Sequence, residues 1–161
     1  MKILVLSDSH SARSFMKLCV DTIHPNAIVH LGDHYSDGEV LAETYPQIPV
    51  YLVPGNCDSH RGWIRDPEIR IEKICGIYCY LTHGHRHQVK SGLYALMRDA
   101  RAAQVQLALF GHTHSAYCQQ EPDGLWVVNP GSCGYYGGSA ALIEAEQGNI
   151  LSVRIIKSED L

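Results

Sequence analysis

Five short polar clusters in this 161-residue sequence carry side chains that bind divalent metals. Together they supply two aspartates, one asparagine and four histidines, which are Asp8, His10, Asp33, Asn56, His83, His112 and His114. Oxygen donors mixed with imidazole suit Mn²⁺, Fe or Zn²⁺ better than Ca²⁺, which prefers oxygen ligands throughout. Seven donors exceed the needs of one tetrahedral site. The set therefore indicates two metals that share a carboxylate.

Two of the clusters place their donors two residues apart, Asp8 with His10 and His112 with His114. On extended backbone, residues at this spacing point to the same side of the chain. Each pair is therefore expected to present both side chains to one site, with the residue between them acting as a spacer.

A glycine directly precedes a donor in three clusters, at Gly32, Gly55 and Gly111. Glycine permits backbone conformations that other residues rarely adopt. We expect the chain to turn sharply away from a strand at each of these positions.

Each cluster follows a short apolar run of the kind that forms a buried parallel strand. The runs are Ile3–Leu6, Ala27–Leu31, Val50–Val53, Ile77–Leu81 and Leu107–Phe110. Ligands of open α/β sheets collect beyond the carboxyl ends of the strands. We therefore expect the five clusters to meet at one edge of the fold.

Helical patterns separate several of these strands. Residues 12–23 carry an apolar stripe that includes Leu18, residues 36–39 form a capping box that opens a second helix, and residues 90–103 form a third. Alternation of strands and helices predicts an α/β fold with right-handed crossovers.

Three hairpins are expected at residues 69–81, 117–128 and 140–156. Strand-rich stretches interleaved with βα units predict two stacked sheets with helices outside. With no linker or repeat in the sequence, residues 1–161 are expected to form a single domain.

The bulk composition limits the class of protein. The formal net charge of −4 gives no global reason to coat nucleic acid or membrane. No apolar run approaches the roughly 18 residues that span a bilayer, and the N-terminus lacks the features of a signal peptide. Six cysteines without a C-x-x-C pair fit neither a disulfide framework nor a zinc knot. A cytoplasmic location is expected.

The ordered motifs resemble those of the calcineurin-like metallophosphoesterase superfamily. They are Asp8-x-His10, Gly32-Asp33-x-x-x-Asp37, Gly55-Asn56-Cys57-Asp58, His83-Gly84 and Gly111-His112-Thr113-His114. The small size, the Gly-Asn-Cys-Asp motif and Asn129-Pro130-Gly131-Ser132 are similar to the YfcE-type phosphodiesterase branch. The resemblance implies a four-layer α/β/β/α sandwich with two stacked mixed β-sheets.

The resemblance also implies a binuclear metal centre. Its first metal would be held by Asp8, His10, Asp33 and His114, and its second by Asp33, Asn56, His83 and His112. Asp33 would bridge the two ions. Manganese is the first expectation for both ions, with Ni, Fe and Zn as alternatives. Asn56, Asp58, His83 and His112 are the expected catalytic residues, with Asp58 supporting the loop or orienting a ligand imidazole.

The expected function is a dinuclear-metal-dependent phosphodiesterase that hydrolyses a small phosphate ester through a metal-bridging hydroxide. One alternative is a metal-binding interaction scaffold of the Vps29 type, whose members lack part of the histidine set. This chain has both His83 and His112. Another alternative is a phosphomonoesterase or nuclease at the same metals. The expected partner is a small phosphate ester, and the function requires neither a membrane nor a nucleic acid. The chain is a candidate for a homo-oligomer, either a dimer or a tetramer.

Several neighbouring residues have two interpretations. Asp37 is either a support for the metal ligands or an acidic residue favoured in a first helical turn. Arg13 is expected to be a surface charge, with an approach to an anionic substrate as the alternative, and Arg61 and Arg65 are candidates for lining the cleft. Tyr135 belongs to a Tyr-Tyr-Gly-Gly segment expected to form a structural turn, with a position at the border of the site as the alternative.

Cys57 departs from the pattern of larger relatives, in which a histidine after the motif asparagine protonates the departing oxygen. A thiol is a poorer match to acid catalysis than an imidazole. We therefore expect a preference for diesters, with simple packing of Cys57 under the loop as the alternative role of this side chain.

Overall fold

The computed structural model describes residues 1–58, 60 and 62–161, so Arg61 lies outside the described residues. Within those ranges the chain forms ten strands and three α-helices. The strands are β1 (Lys2–Leu6), β2 (Ala27–His30), β3 (Val50–Leu52), β4 (Ile69–Ile74), β5 (Ile77–Thr82), β6 (Leu107–Leu109), β7 (Tyr117–Gln120), β8 (Trp126–Asn129), β9 (Ser139–Glu146) and β10 (Asn149–Lys157). The helices are α1 (Arg13–Ile23), α2 (Tyr35–Thr44) and α3 (Tyr94–Ala102).

The strands form two five-stranded sheets, in the orders β10-β9-β1-β2-β3 and β4-β5-β6-β8-β7. Both sheets are mixed. In the first, β1, β2 and β3 are parallel, and in the second, β5, β6 and β8 are parallel. The expected hairpins are confirmed as the antiparallel pairs β4–β5, β7–β8 and β9–β10.

The apolar residues of β1 show how the sheets and helices form four layers. Ile3 and Val5 pack into the core between the two sheets. Leu4 and Leu6 point the other way and pack against α1 and α2. A third core, with Leu96 at its centre, lies between the second sheet and α3. Successive strand side chains alternate between faces, so a continuous apolar run requires cover on both sides. The expected α/β/β/α sandwich is confirmed.

The apolar stripe of α1 differs from the expected one. Met16, Cys19, Val20 and Ile23 are buried, whereas Leu18 is 45% exposed. The face that packs on the sheet is rotated toward Met16 and Val20, and Leu18 lies on the solvent side of it.

The expected capping box at residues 36–39 is wrong, because α2 already begins at Tyr35. The preceding residue, His34, has a left-handed φ of 67°. The His34 side chain makes no capping hydrogen bond to the first turn of the helix. Instead, the amide of Tyr35 donates to Oδ1 of Asp58 at 3.0 Å. A carboxylate distant in sequence thus satisfies a free N–H group of the first turn, which removes the need for a local cap.

The third helix is shorter than expected. A 3-10 helix at His85–His87 and turns occupy the stretch before α3. Gln88 and Gly92 have positive φ values of 50° and 145°, which end any regular helix before Tyr94. Among the described residues, no helix combines the length and the apolar character needed to cross a bilayer.

Candidate metal centre

The loops after β1, β2, β5 and β6 meet at one end of the sandwich. The amide of Asp8 donates to the Gly32 carbonyl at 3.0 Å, which joins the first two loops. Gly111 donates to the His83 carbonyl at 2.9 Å, which joins the loops of the second sheet. The amide of His112 donates to Oδ2 of Asp8 at 3.1 Å and links the two sheets. Polar clusters far apart in sequence are thereby brought together.

Four of the predicted donors form one compact group. Asp8, His10, Asp33 and His114 each offer one ligand atom, and these atoms all lie within 4.8 Å of one another. Nε2 of His114 is 3.2 Å from Oδ1 of Asp8. These are the residues that the resemblance implies for the first metal.

Three buried ligand atoms in this region have no hydrogen-bond partner among the described residues. They are Oδ1 of Asp8, Nε2 of His10 and Nε2 of His83. Buried polar atoms in proteins are nearly always hydrogen-bonded, and unbonded ones point to an ion or a functional role. A carboxylate oxygen beside imidazole nitrogens is a donor set for a divalent transition metal. The residues present therefore fit a metal ion at this position.

His83 is held so that one ring nitrogen faces the carboxylates. Its Nδ1 lies 2.7 Å from the carbonyl of Leu31, which can only accept, so Nδ1 carries the hydrogen. Nε2 then faces Oδ2 of Asp33 at 3.5 Å and Oδ1 of Asp8 at 3.9 Å. A backbone carbonyl that fixes the ring in this way is typical of metal-binding histidines.

The charges of the site favour a cation. Burial by itself lowers the pKa of His83, but the Asp33 and Asp8 carboxylates outweigh burial and raise it. Burial raises the pKa of Asp8. At Asp33, burial also acts to raise the pKa, but His83 and the Cys57 amide outweigh it and hold the pKa below its usual range. The two carboxylates thus stabilise positive charge at His83, and His83 in turn stabilises the ionised form of Asp33.

Two of the donors expected for a second metal, His83 and His112, lie beside each other. The rings of His83 and His112 are 5.0 Å apart between centroids. Burial lowers the pKa of His112 to about 4, so its imidazole is neutral near pH 7. Asn56 begins a short 3-10 helix, Asn56–Asp58, whose Cys57 amide donates to Oδ1 of Asp33 at 3.0 Å. The structure places His83 against Asp33, His112 beside His83, and Asn56 on the adjoining loop.

The backbone of the donors is not extended, contrary to the sequence-based expectation. The φ angles are 50°, 42°, 54°, 70° and 60° for Asp8, His10, Asp33, His112 and His114. Side chains in this left-handed region are uncommon outside glycine. Each donor is therefore aimed by its own turn after a strand, and not by the two-residue repeat. Unfavourable backbone conformations clustered at one place are typical of functional sites.

Gly55 and Gly111 are required by space and not by a positive φ. A Cβ atom at Gly55 would lie 2.1 Å from Oδ1 of Asp33, and one at Gly111 would lie 2.0 Å from Oγ of Ser7. Gly32, by contrast, does have a positive φ of 94°. Gly55 and Gly111 thus let the backbone lie directly against the carboxylates of Asp33 and Asp8.

A family model for the calcineurin-like phosphoesterase superfamily domain matches residues 1–148. The chain belongs to this superfamily. A probable metallophosphoesterase of Mycoplasma pneumoniae is 30% identical over 134 residues, covering 81% of this chain and 78% of the relative. A phosphodiesterase of Methanocaldococcus jannaschii, MJ0936, is 27% identical over 159 residues, covering 86% of this chain and 88% of the relative.

Solved structures share the calcineurin-like fold. Vps29 of Entamoeba histolytica, solved in complex with Zn²⁺, superimposes with a TM-score of 0.74 at 21% identity, over 98% of each chain. The phosphoesterase YfcE of E. coli superimposes with a TM-score of 0.66 at 21% identity, over 96% of this chain and 98% of that chain. Membership in the superfamily makes this chain a phosphoester hydrolase by family, with a candidate metal-binding cluster.

Asp58 connects two loops of this calcineurin-like site through their backbones. Its Oδ2 accepts from the amides of Asp33 at 2.9 Å and Gly55 at 2.8 Å, and its Oδ1 accepts from Tyr35. Asp58 is 1% exposed. The structure thus places it beneath Asp33 as a support for the loop, one of its two expected roles, in contact with backbone amides.

We expect Asp58→Asn to lower the free energy of unfolding by about 2–4 kcal/mol, because a buried carboxylate that accepts three N–H groups would be replaced by an amide whose N–H₂ must face at least one of them. Denaturant unfolding measures this change. Glu43→Gln, an exposed position on α2, is the matched control and should stay within about 0.5 kcal/mol. Equal stability of Asp58→Asn and the parent would contradict the supporting role.

Asp37 supports the loop after β1. Its Oδ2 accepts from the hydroxyl of Ser9 at 2.8 Å and the amide of Ser11 at 2.9 Å, and its Oδ1 accepts from Arg13 at 2.7 Å. Both interpretations of Asp37 therefore hold, since it lies in the first turn of α2 and also holds the Asp8–His10 loop. Arg13 is half exposed, but it is paired with a buried carboxylate instead of being a free surface charge.

Three polar residues that support the site were not identified from the sequence as doing so. Ser7 donates to Oδ2 of Asp8 at 2.6 Å, and Ser132 donates to the Asp8 carbonyl at 2.7 Å. Asn129 donates to the Gly111 carbonyl and to the Thr113 hydroxyl, which fixes the loop of His112 and His114. Two of them, Asn129 and Ser132, belong to the Asn-Pro-Gly-Ser motif. Their support of the site could not be predicted from the motif, because it depends on contacts across the fold.

Tyr135 borders the site, which agrees with the second of the two interpretations of its segment. Its ring stacks on His114 at 5.0 Å between centroids and 15° between planes. It also meets the edge of His10 at 5.0 Å. Two candidate metal ligands are thus packed against one tyrosine.

Proposed function

We propose that this chain is a phosphodiesterase that hydrolyses small phosphodiesters with two divalent metal ions. Asp8, His10, Asp33 and His114 would hold one ion, and Asp33, Asn56, His83 and His112 the other. The observation that carries the proposal is the cluster of four donors within 4.8 Å, with buried atoms that lack a partner among the described residues. Manganese remains the expected metal, with Ni, Fe and Zn as alternatives.

When bound, the two ions supply a hydroxide nucleophile near neutral pH and neutralise charge on the phosphate oxygens. The residues of the chain provide the positioning. The Leu31 carbonyl orients His83 toward Asp33, and Asp58 fixes the Asp33 backbone. No Ser or Cys nucleophile is needed in this scheme, which agrees with Ser7 and Ser132 serving as supports for Asp8.

The preference for diesters is supported by the phosphodiesterase relative from Methanocaldococcus jannaschii. Cys57 is consistent with it, because this exposed side chain occupies the place after Asn56 where larger relatives have histidine. The proposal takes residues 1–161 as one domain acting on a small ester. Its cytoplasmic location and a dimeric or tetrameric state are expectations from the sequence.

The decisive experiment compares bis(p-nitrophenyl) phosphate with p-nitrophenyl phosphate, using protein purified and loaded with Mn²⁺. We expect turnover of both to depend on the metal, with a larger kcat/KM for the diester. Faster hydrolysis of the monoester would replace the diester assignment with a phosphomonoesterase. Hydrolysis of neither substrate with Mn²⁺, Ni²⁺, Fe²⁺ or Zn²⁺ would overturn the enzymatic proposal.

A scaffold function is the second candidate, favoured by the fold match to Vps29. It predicts that the chain binds a metal and yet hydrolyses no phosphate ester. The presence of both His83 and His112 favours the enzyme. The same chromogenic assay, combined with elemental analysis, separates the two candidates.

Cys57→His is expected to raise kcat/KM for monoesters relative to diesters by at least ~10-fold, because a positioned general acid contributes about 10²–10⁴-fold. The introduced imidazole can protonate the departing oxygen of a poor leaving group. Alkyl and aryl monoesters assayed beside matched diesters give the ratio. Cys57→Ala is the control and should not raise the ratio. A Cys57→His ratio equal to that of the parent would show that this position does not reach the leaving group.

A further inference from the structure

A pocket lies beside the candidate metal centre. It is lined by His114, Tyr136, Ser139 and Lys157, among others, and encloses about 380 Å³. Small-molecule sites span about 300–1,000 Å³. His114 belongs to both the metal cluster and this pocket, so a phosphate at the cluster could extend one of its ester groups into the pocket.

An aromatic row leads from the cluster into the pocket. Tyr135 stacks on His114, and the ring of Tyr136 follows at 6.3 Å between centroids. Tyr136 is 92% exposed. A large ring presented to solvent directly beside a polar site offers a flat face for stacking.

The turn that carries Tyr136 is fixed on both sides. Ser132 donates to the Asp8 carbonyl and accepts from the amide of Tyr135 at 3.1 Å, so the turn is tied to the metal-site loop. Ser158 donates to the carbonyl of Gly137 on the other side. Tyr136 itself has a φ of 53°, which is unusual for a bulky residue. An unfavourable conformation that displays an exposed ring is typical of a functional position.

Lys157 adds a positive charge to the pocket. Its side chain is exposed, and among the described residues it lies against the backbone of Asp160 and forms no ion pair. The nearby Asp160 accepts instead from the Lys157 backbone amide at 2.8 Å. The ammonium group is therefore available to a phosphate or another anion.

We propose that this pocket binds the nucleoside of a nucleotide phosphodiester, with the base stacked on Tyr136 and a further phosphate near Lys157. This inference rests on the proposed phosphodiesterase function. Phosphodiesters of sugars and lipids present no flat aromatic face, whereas every nucleobase does. Stacking of a base on an aromatic side chain tolerates any sequence and strengthens binding by about tenfold or more.

The test uses two diesters with the same leaving group, thymidine 5′-(p-nitrophenyl phosphate) and methyl p-nitrophenyl phosphate, with the Mn²⁺-loaded protein. We expect the parent to favour the thymidine ester by about tenfold in kcat/KM, mainly through KM. Tyr136→Ala should reduce this ratio about tenfold, and Tyr136→Phe should retain it. Tyr94→Ala removes another exposed tyrosine, on α3, and should leave the ratio unchanged.

Lys157 is tested with the 3′-phosphorylated form of the thymidine ester. We expect the added 3′-phosphate to lower KM for the parent, and Lys157→Gln to abolish that advantage. An advantage of the same size in both proteins would remove Lys157 from the proposal.

Binding of thymidine 5′-monophosphate, measured by calorimetry, separates failure of this inference from failure of the proposed function. We expect Tyr136→Ala to weaken the binding of thymidine 5′-monophosphate about tenfold more than the binding of inorganic phosphate. If neither chromogenic ester is hydrolysed, the phosphodiesterase proposal fails, and the binding comparison still decides about the pocket. Equal affinities of parent and Tyr136→Ala, or an absence of preference for the thymidine ester, would overturn the nucleoside assignment.

Discussion

Asp33→Asn should deplete both bound metals and lower kcat/KM for a diester by at least ~10³-fold. Asp33 is the carboxylate shared by the two proposed donor groups, with Oδ2 at 3.5 Å from Nε2 of His83. Metal ions contribute several kcal/mol of charge stabilisation in the transition state, and each 1.36 kcal/mol is a factor of ten in rate. Elemental analysis of the purified variant and steady-state kinetics measure the two effects.

Asparagine is the informative replacement because its side-chain oxygen can still accept from the Cys57 amide, which donates to Oδ1 of Asp33 at 3.0 Å. The loop is therefore expected to keep its conformation. Asp21→Asn, on the exposed face of α1, is the matched control and should retain parental metal content and turnover. Two metals per chain with near-parental activity in Asp33→Asn would refute the bridging assignment.

His112→Ala and His83→Ala should both abolish diester hydrolysis, with different effects on stability. His112 is only partly buried, so its loss should change the free energy of unfolding by less than about 1 kcal/mol. His83 is 0% exposed and donates to the Leu31 carbonyl. Its removal leaves a cavity and an unpaired carbonyl, and should cost about 2–4 kcal/mol. Unfolding without added metal measures the change in stability, and turnover with metal measures the loss of diester hydrolysis.

The two histidines therefore differ in burial, His83 being fully buried and His112 partly exposed. Both substitutions remove an imidazole, so a matched control should remove one elsewhere. His24→Asn does so at the far end of α1, where asparagine tolerates the left-handed φ of 53°. It should leave both activity and stability close to parental. Diester turnover at the parental rate in either His83→Ala or His112→Ala would exclude that residue as a ligand.

The strands and layers could be predicted because they depend on local patterns. Continuous apolar runs such as Ile3–Leu6 require cover on both faces, and the structure provides it with the second sheet on one side and helices on the other. The three hairpins followed from apolar segments separated by turn residues. The helix starts could not be predicted in the same way. The α2 start depends on a hydrogen bond to Asp58, a contact that local propensity does not encode.

The chemistry of the site was predictable at the level of residue types. Donors placed after successive parallel strands must meet at the carboxyl edge, whatever the details of the loops. The expected pairing of Asp8 with His10 by extended backbone was wrong, since both have left-handed φ values. Hydrogen bonds across the fold hold the Asp8 loop in place: Ser9 and Ser11 donate to the Asp37 carboxylate, and Ser132 donates to the Asp8 carbonyl.

The sequence by itself determined the sandwich layers, the order of the candidate donors and their suitability for a divalent transition metal, because strand periodicity and ligand preference are properties of single residues and short segments. Only the tertiary structure decided which donors share a cluster, which ring nitrogen of His83 faces the carboxylates and which aromatic residues border the cleft. Those features depend on contacts between residues up to 124 positions apart, as between Ser132 and Asp8. Such contacts exist only once the two sheets have packed together.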